Sequence, residues 1–270
     1  MQKPLTMSMS DYLANPAYGA SDLIKMARSF AYWKWRKANP EPKSRALVIG
    51  SATHVRLESY FSGGGRAPII EVYKDGSSLT KGFKAFQSER PNAYCLDEEE
   101  NALVDRMVKA LLDDSEVVGY LKDAIPEATI IGNYPGTQVK CKVRPDYLHI
   151  ARGVSINLKT TTDASENGFI WGARDFGYDF QSALYCDLLT QELGKPFDEV
   201  HILVEKGDSA EECQINLFTF GEDTLCHART MLQQLLERIP ECERTGIWPK
   251  KTTVLQTIDL PFHARKVVQL

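Results

Sequence analysis

The sequence predicts an α/β protein: a central mixed β-sheet flanked by helices, with a mainly helical N-terminal part. Three observations predict it. Apolar residues recur at helical spacing through much of the first 125 residues. From residue 127 the pattern changes to strand-like alternation in EATIIGNY, TQVKCKVRPDYLHI and VSINLKT. After that, helical runs alternate with two further β-rich runs, VHILVEK and CQINLFTF.

Taken in order, SDLIKMARSFAYWKWRK reads as one helix with Ser21 as its cap, ended by the NPEP turn at 39–42. RALVIGSATHVRLESYF is a second helix, and Gly63, Gly64 and Gly65 follow as a break. Asp97 to Leu112 alternates charged and apolar residues at helical period behind an acidic start. A strand over 127–134 turns at Pro135–Gly136 into a longer strand, and the Arg152–Gly153 turn leads into VSINLKT. Helices follow over Glu166–Ala173 and Asp179–Leu193, then the two β-rich runs, then a helix in EDTLCHARTMLQQLLERI. The expected organisation is one domain over 1–270: a helical part at 1–125, a sheet core at 126–240 and an irregular tail at 241–270.

The bulk numbers exclude some functions. A net charge of −4 speaks against a small DNA-coating protein, which would be strongly basic. It leaves room for a local basic channel, and Lys and Arg do cluster between residues 25 and 45. The six cysteines form no CxxC pair, so they read as reduced thiols rather than a zinc site or a disulfide framework. There is neither an apolar signal core nor a membrane-span-length apolar run, so the expectation is a cytoplasmic protein with no membrane partner.

The chemistry gathers in CKVRPDYLHIARGVSINLKTTT. Asn157 and Lys159 are two apart on a strand and project to the same face, and a hairpin can bring Asp146 beside them. Phosphodiester hydrolysis needs a divalent cation to activate water, oxygen ligands to hold it, and a cation such as lysine to stabilise developing charge. By itself this spacing is common, and a turn-facing Asp with a solvated Lys is the plain alternative. Three other stretches add to it. His54 and Glu58 stand four apart on one helix face, where an imidazole can ligate a metal. Gln181 and Tyr185 are also four apart on a helix and can meet phosphate oxygens or bases. Lys140, Lys142, Arg144 and Asp146 alternate on one strand, a row suited to a phosphate backbone. Each pair or row taken alone also fits a surface ion pair, a half-buried tyrosine or a solvated strand face.

Together, GSATHVRLE, KCKVRPDY, INLKTTTD, the QSALY helix and WPKKTTVLQTIDLP resemble, in order from Ser21 to Pro261, the RecE-type exonucleases (exonuclease VIII). These are a branch of the PD-(D/E)xK nucleases related in fold to the phage lambda exonuclease. The resemblance implies a restriction-endonuclease-like core. It makes His54 and Asp146 metal ligands, Lys159 the catalytic lysine, and Gln181 with Tyr185 the helix pair of the family motif. Glu58 falls near the metals, and Glu127 is a further carboxylate candidate there. Two Mg²⁺ ions are implied, with Mn²⁺ as a substitute. The implied activity degrades one strand of linear duplex DNA from its 5′ end and leaves a 3′ tail for strand annealing. The implied partners are linear double-stranded DNA, a single-strand annealing protein in phage-type or prophage recombination, and further copies of the chain in a ring, a trimer or tetramer. Ser21, Arg28 and Arg36 join Lys140, Lys142 and Arg144 as DNA-binding candidates. Trp33, Trp35 and Tyr32 read as core, with a wedge against the terminal base pair as the other reading.

The departure is Asn157, where the family pattern has Asp or Glu. An amide keeps a carbonyl oxygen but no charge, and losing one such contact costs roughly 10²–10³ in rate. The expectation is an inactivated form whose Asp was changed to Asn so that DNA binds uncut; the alternative is a natural DNA-binding module on a decayed nuclease fold. A restriction-type endonuclease is a third reading.

Overall fold

The computed structural model describes residues 3–61 and 69–253. In chain order the elements are α1 (Met9–Ala14), α2 (Ala20–Arg28), α3 (Phe30–Ala38), α4 (Arg45–Phe61), β1 (Ile70–Tyr73), α5 (Lys81–Ser88), β2 (Tyr94–Asp97), α6 (Glu98–Asp113), α7 (Ser115–Leu121), β3 (Ile125–Pro126), β4 (Ile130–Asn133), β5 (Lys140–Val143), β6 (Tyr147–His149), β7 (Val154–Thr161), α8 (Glu166–Phe176), α9 (Tyr178–Leu193), β8 (Asp198–Glu205), β9 (Ile215–Phe218) and α10 (Glu222–Thr245).

The central sheet has the order β3-β6-β7-β8-β9. Within it only β7 and β8 pair in parallel, so the chain must cross over between them, and α8 and α9 make that crossing. The other pairs, β3–β6, β6–β7 and β8–β9, are antiparallel, so the sheet is mixed as the sequence predicts. One face carries Ile156, Leu158, Ile202 and Val204 into a core shared with Val48, Ala52 and Leu57 of α4 and with Met107 and Leu111 of α6. A second core lies around α9, joined by α2, α3, α10, β4 and β5. Two glycines fix the connections. Gly153 ends the β6–β7 turn with φ 69°, and a Cβ there would meet the Pro196 carbonyl oxygen at 2.6 Å. Gly177 separates α8 from α9, also at φ 69°.

Several boundaries differ from the sequence expectation. The run beginning at Ser21 is two helices. Ser29 is extended (φ −175°, ψ 136°), and its Oγ accepts from Tyr32 N to cap α3. The α2 cap is Gly19, so Ser21 lies inside the first turn. The long strand over 137–150 is also two elements. Arg144, Pro145 and Asp146 interrupt it, and Pro145 has no N–H to give to a ladder. As a result β5 pairs with β4 in a side hairpin, while β6 enters the central sheet. Within the N-terminal part lies a small parallel sheet, β1–β2. At the other end α10 continues past Pro240 to Thr245, so irregular chain starts at Gly246 rather than 241. The glycines at 63–65 and the tail after 253 lie outside the described residues. Among the described residues, no helix is long and apolar enough to cross a membrane.

Candidate active site

The β6–β7 hairpin does what the spacing requires. Tyr147 pairs with Ile156, which sets Asp146, one residue before the strand, across from Asn157. Asp146 Oδ2 accepts from Leu158 N at 2.7 Å, so its carboxylate is tied to the β7 backbone. From the opposite direction α4 brings His54, whose Nδ1 is 3.1 Å from Asp146 Oδ1. Burial lowers the pKa of His54, but the Asp146 carboxylate more than offsets this and the net shift is upward. Burial likewise raises Asp146, yet His54 and Lys159 leave it below the ordinary carboxylate value. On β7, Lys159 Nζ donates to Gln181 Oε1 at 3.3 Å and stands 4.9 Å from the centre of the Tyr178 ring. Tyr185, one turn further along α9, lies by the Arg144 backbone, with its oxygen 3.4 Å from the amide nitrogen and 3.3 Å from the carbonyl oxygen.

His54, Asp146, Asn157, Lys159, Gln181 and Tyr185 therefore come from α4, the residue before β6, β7 and α9 into one neighbourhood. Glu58 is half-buried one turn along α4, with its pKa raised by burial and by Glu127. Glu127 is held differently. Its carboxylate is taken by the Arg144 guanidinium, which places it beside the His54–Asp146 pair and not within it.

The phosphate-binding row is corrected by the break at Pro145. Lys142 is 3% exposed, and its Nζ donates to the carbonyls of Tyr12 and Asn15 at 2.7 and 2.8 Å. Burial lowers its pKa. It anchors the N-terminal segment and cannot reach a phosphate. Arg144 is committed to Glu127 and to the Met7 carbonyl. Lys140 alone of the three cations is exposed. Ser21 and Arg28 are exposed on α2, where the Arg28 guanidinium lies over the Tyr32 ring. Arg36 on α3 is paired with Glu41. Trp33 belongs to the core, whereas Trp35 is 54% exposed.

Sequence reasoning found the neighbouring strand but singled out neither Glu199 nor His201 on it. Glu199 and His201 lie on β8 in register with Ser155 and Asn157, so all four share the face that carries Lys159. Asn157 Nδ2 donates to Glu199 Oε1 at 2.6 Å, and both residues are buried. Glu199 Oε2, Ser155 Oγ and His201 Nδ1 are buried without a hydrogen-bond partner. Burial raises the Glu199 carboxyl well above its ordinary value. His201 is pulled down to about 3 by burial and Lys159, so it is neutral; its Nε2 meets Ser182 Oγ at 2.9 Å. The signal was present in the sequence as Glu199 and His201, two apart and alternating with the apolar residues Val200 and Ile202 of β8.

Among the described residues, no three His, Cys, Asp or Glu side chains converge as a complete metal cage. Magnesium does not require one. It is commonly held through one or two carboxylates with waters and substrate phosphates. Two donors at ~2.1 Å from one ion and at right angles stand about 3 Å apart, and the His54–Asp146 separation of 3.1 Å fits that. The orphaned Glu199 oxygen adds unbalanced acceptor capacity beside the pair. The His54–Asp146 pair fits two donors of a divalent cation whose other positions are filled by water and substrate oxygens.

The profile of a PDDEXK-like domain of unknown function (DUF3799) matches residues 23–260. The chain belongs to this family. A crystal structure of a "Putative exonuclease" from Eubacterium rectale superimposes with a TM-score of 0.63 at 17% identity, covering 96% of each chain, and supports the same fold. A phage related exonuclease from Haemophilus somnus 129PT matches at 12% identity over 86% of this chain and 98% of its own. Its TM-score of 0.32 is too low to bear on fold or function. No curated protein sequence matches the chain.

Proposed function

We propose that this PDDEXK-like protein is a Mg²⁺-dependent exonuclease that degrades one strand of linear double-stranded DNA from the 5′ end and leaves a 3′ single-stranded tail. The convergence of His54, Asp146, Asn157 and Lys159 from three separate elements is the observation that carries the reading. A divalent ion at such a centre lowers the pKa of water and polarises the phosphate. His54 and Asp146 would hold it, with the Asn157 oxygen as a third donor. Lys159, fixed by Gln181, stands where it can orient the attacking water and meet developing negative charge. Tyr185 steadies the Arg144–Asp146 turn through its contacts with the Arg144 backbone. Position 157 holds an uncharged group, which by itself weakens the hold on the ion and slows cleavage.

Lys140, Ser21, Arg28 and Arg36 are the proposed contacts to the DNA backbone. A net charge of −4 suits a ring of copies with an acidic exterior and a basic bore, through which the duplex threads. A single-strand annealing protein is the proposed partner for the tail, and Mn²⁺ the substitute metal.

The test is a time course on end-labelled linear duplexes and closed circles, with and without Mg²⁺, for the wild type and Asn157→Asp. Metal-dependent loss of 5′ label from linear duplex, with circles intact, is expected. DNA bound and never cut by either protein would leave only a binding module, and cleavage of circles would mean an endonuclease.

A further inference from the structure

Asn157 leaves a gap in charge, and the structure contains an under-partnered carboxyl group beside it. Glu199 sits on β8 with 2% of its surface exposed. One of its oxygens accepts from Asn157 Nδ2 at 2.6 Å, and the other has no partner. A fully buried carboxylate with an empty oxygen is costly, and a packed core does not retain one for stability. Among the described residues, the basic group paired closest to it is the His201 imidazole at 3.6 Å, which is neutral. Burial raises its pKa well above the ordinary carboxyl value, and the Lys159 charge opposes that shift without forming an ion pair with it; a cation bound beside Asn157 would add to the Lys159 effect and favour the ionised form.

The geometry of the pair is directional. A carboxylate can only accept, so the Asn157 amide must turn its nitrogen toward Glu199 and its carbonyl oxygen the other way. A ligand whose far side is hydrogen-bonded to a carboxylate is oriented and becomes a better donor to a metal. We propose that Glu199 is a positioning residue for the metal centre: through Asn157 it supplies, from the next strand, the negative charge that position 157 lacks. Asn157 and Glu199 then work as one anionic ligand spread over two side chains. An aspartate at 157 would not suit this arrangement, because two carboxylates in hydrogen-bond contact cannot both ionise without a proton or a cation between them. On this reading Asn157 is the matched partner of Glu199 and not the remnant of a lost aspartate.

The inference rests on the metal-dependent reading above, and the test separates the two. Mn²⁺ affinity of the full chain is measured by titration calorimetry and by electron paramagnetic resonance of free Mn²⁺, without DNA, for the wild type, Asp146→Asn, Glu199→Gln and the double variant Asn157→Asp/Glu199→Gln. The Glu199→Gln side chain keeps an oxygen that accepts from Asn157 but has no charge, so Mn²⁺ affinity should fall ~10–100-fold while the metal-free melting temperature holds or rises. The double variant returns the charge to position 157 with an amide as its donor, and affinity should recover to the wild-type level. Glu199→Gln binding Mn²⁺ as tightly as the wild type, while Asp146→Asn does not, would overturn this inference alone. A wild type that binds no Mn²⁺ would overturn it together with the metal-dependent function.

Discussion

Strands β7 and β8 present two faces of opposite chemistry at nearly the same burial. On one, Ile156, Leu158, Ile202 and Val204 are 0–2% exposed and fill the core under α4 and α6. On the other, Ser155, Asn157, Glu199 and His201 are 0–3% exposed, and three of the four hold a polar atom without a partner. Burial therefore does not distinguish the faces; satisfaction does. Shape-filling apolar contacts stabilise the first. The second keeps polar groups dry and incompletely paired, which costs stability and is common where a fold has a ligand to meet.

Five changes would break or sharpen that contrast. The largest effect is expected on the apolar face. Ile202→Ala should cost ~2–5 kcal/mol in urea unfolding, while cleavage per folded molecule is unchanged; a rate defect at full stability would mean the faces are not separable. Next comes Lys159→Ala, which should slow strand degradation roughly 10²–10³-fold, about 3 kcal/mol of barrier, with little change in melting temperature. A large loss of stability there would place Lys159 among the structural groups.

His201 gives a pH test of the polar face. It is held neutral with its pKa at about 3, whereas an unfolded histidine protonates near pH 6.5. Below pH 6.5 the unfolded chain takes up a proton that the fold refuses, so the His201 contribution to stability falls as pH drops from about 6.5 toward 3 and is constant above that window. By pH 4 the loss is about 3 kcal/mol. His201→Phe, which suits the surrounding Phe169, Tyr178 and Phe220 rings, should flatten that acid limb in pH-dependent melting. An unaltered limb would assign it to other groups. The smallest effect concerns Lys142. Lys142→Met should cost ~1–3 kcal/mol by leaving the Tyr12 and Asn15 carbonyls unpaired. The salt dependence of DNA binding should be unchanged, whereas Lys140→Ala should flatten it.

Much of this was legible in the sequence, for identifiable reasons. Asp146 and the residue-157 face come together because a tight turn at Gly153 fixes the register of a hairpin, and both the turn and the alternation are local. His54 projects from a helix whose apolar period is visible over its whole length. The errors arose where a local rule met a longer-range constraint. Alternation put Lys140, Lys142, Arg144 and Asp146 on one strand, but Pro145 divides that strand between two sheets, and Lys142 turns inward to the N-terminal segment. The helix from Ser21 reads as continuous because Ser29 is an ordinary helical residue by composition; it becomes a cap because α3 turns Phe30 and Trp33 into the core.

By itself the sequence determined the mixed α/β class, the hairpin that pairs Asp146 with position 157, the helix faces carrying His54 and Gln181, and the missing charge at Asn157. These follow from periodicities of two and 3.6 residues, which act over a few neighbours along the chain. Only the tertiary structure decided what stands next to Asn157. Glu199 is 42 residues away in sequence and arrives through the parallel pairing of β8 with β7. A parallel pair is joined by a crossover, so its register comes from the packing of the intervening helices and not from any turn that can be read along the chain.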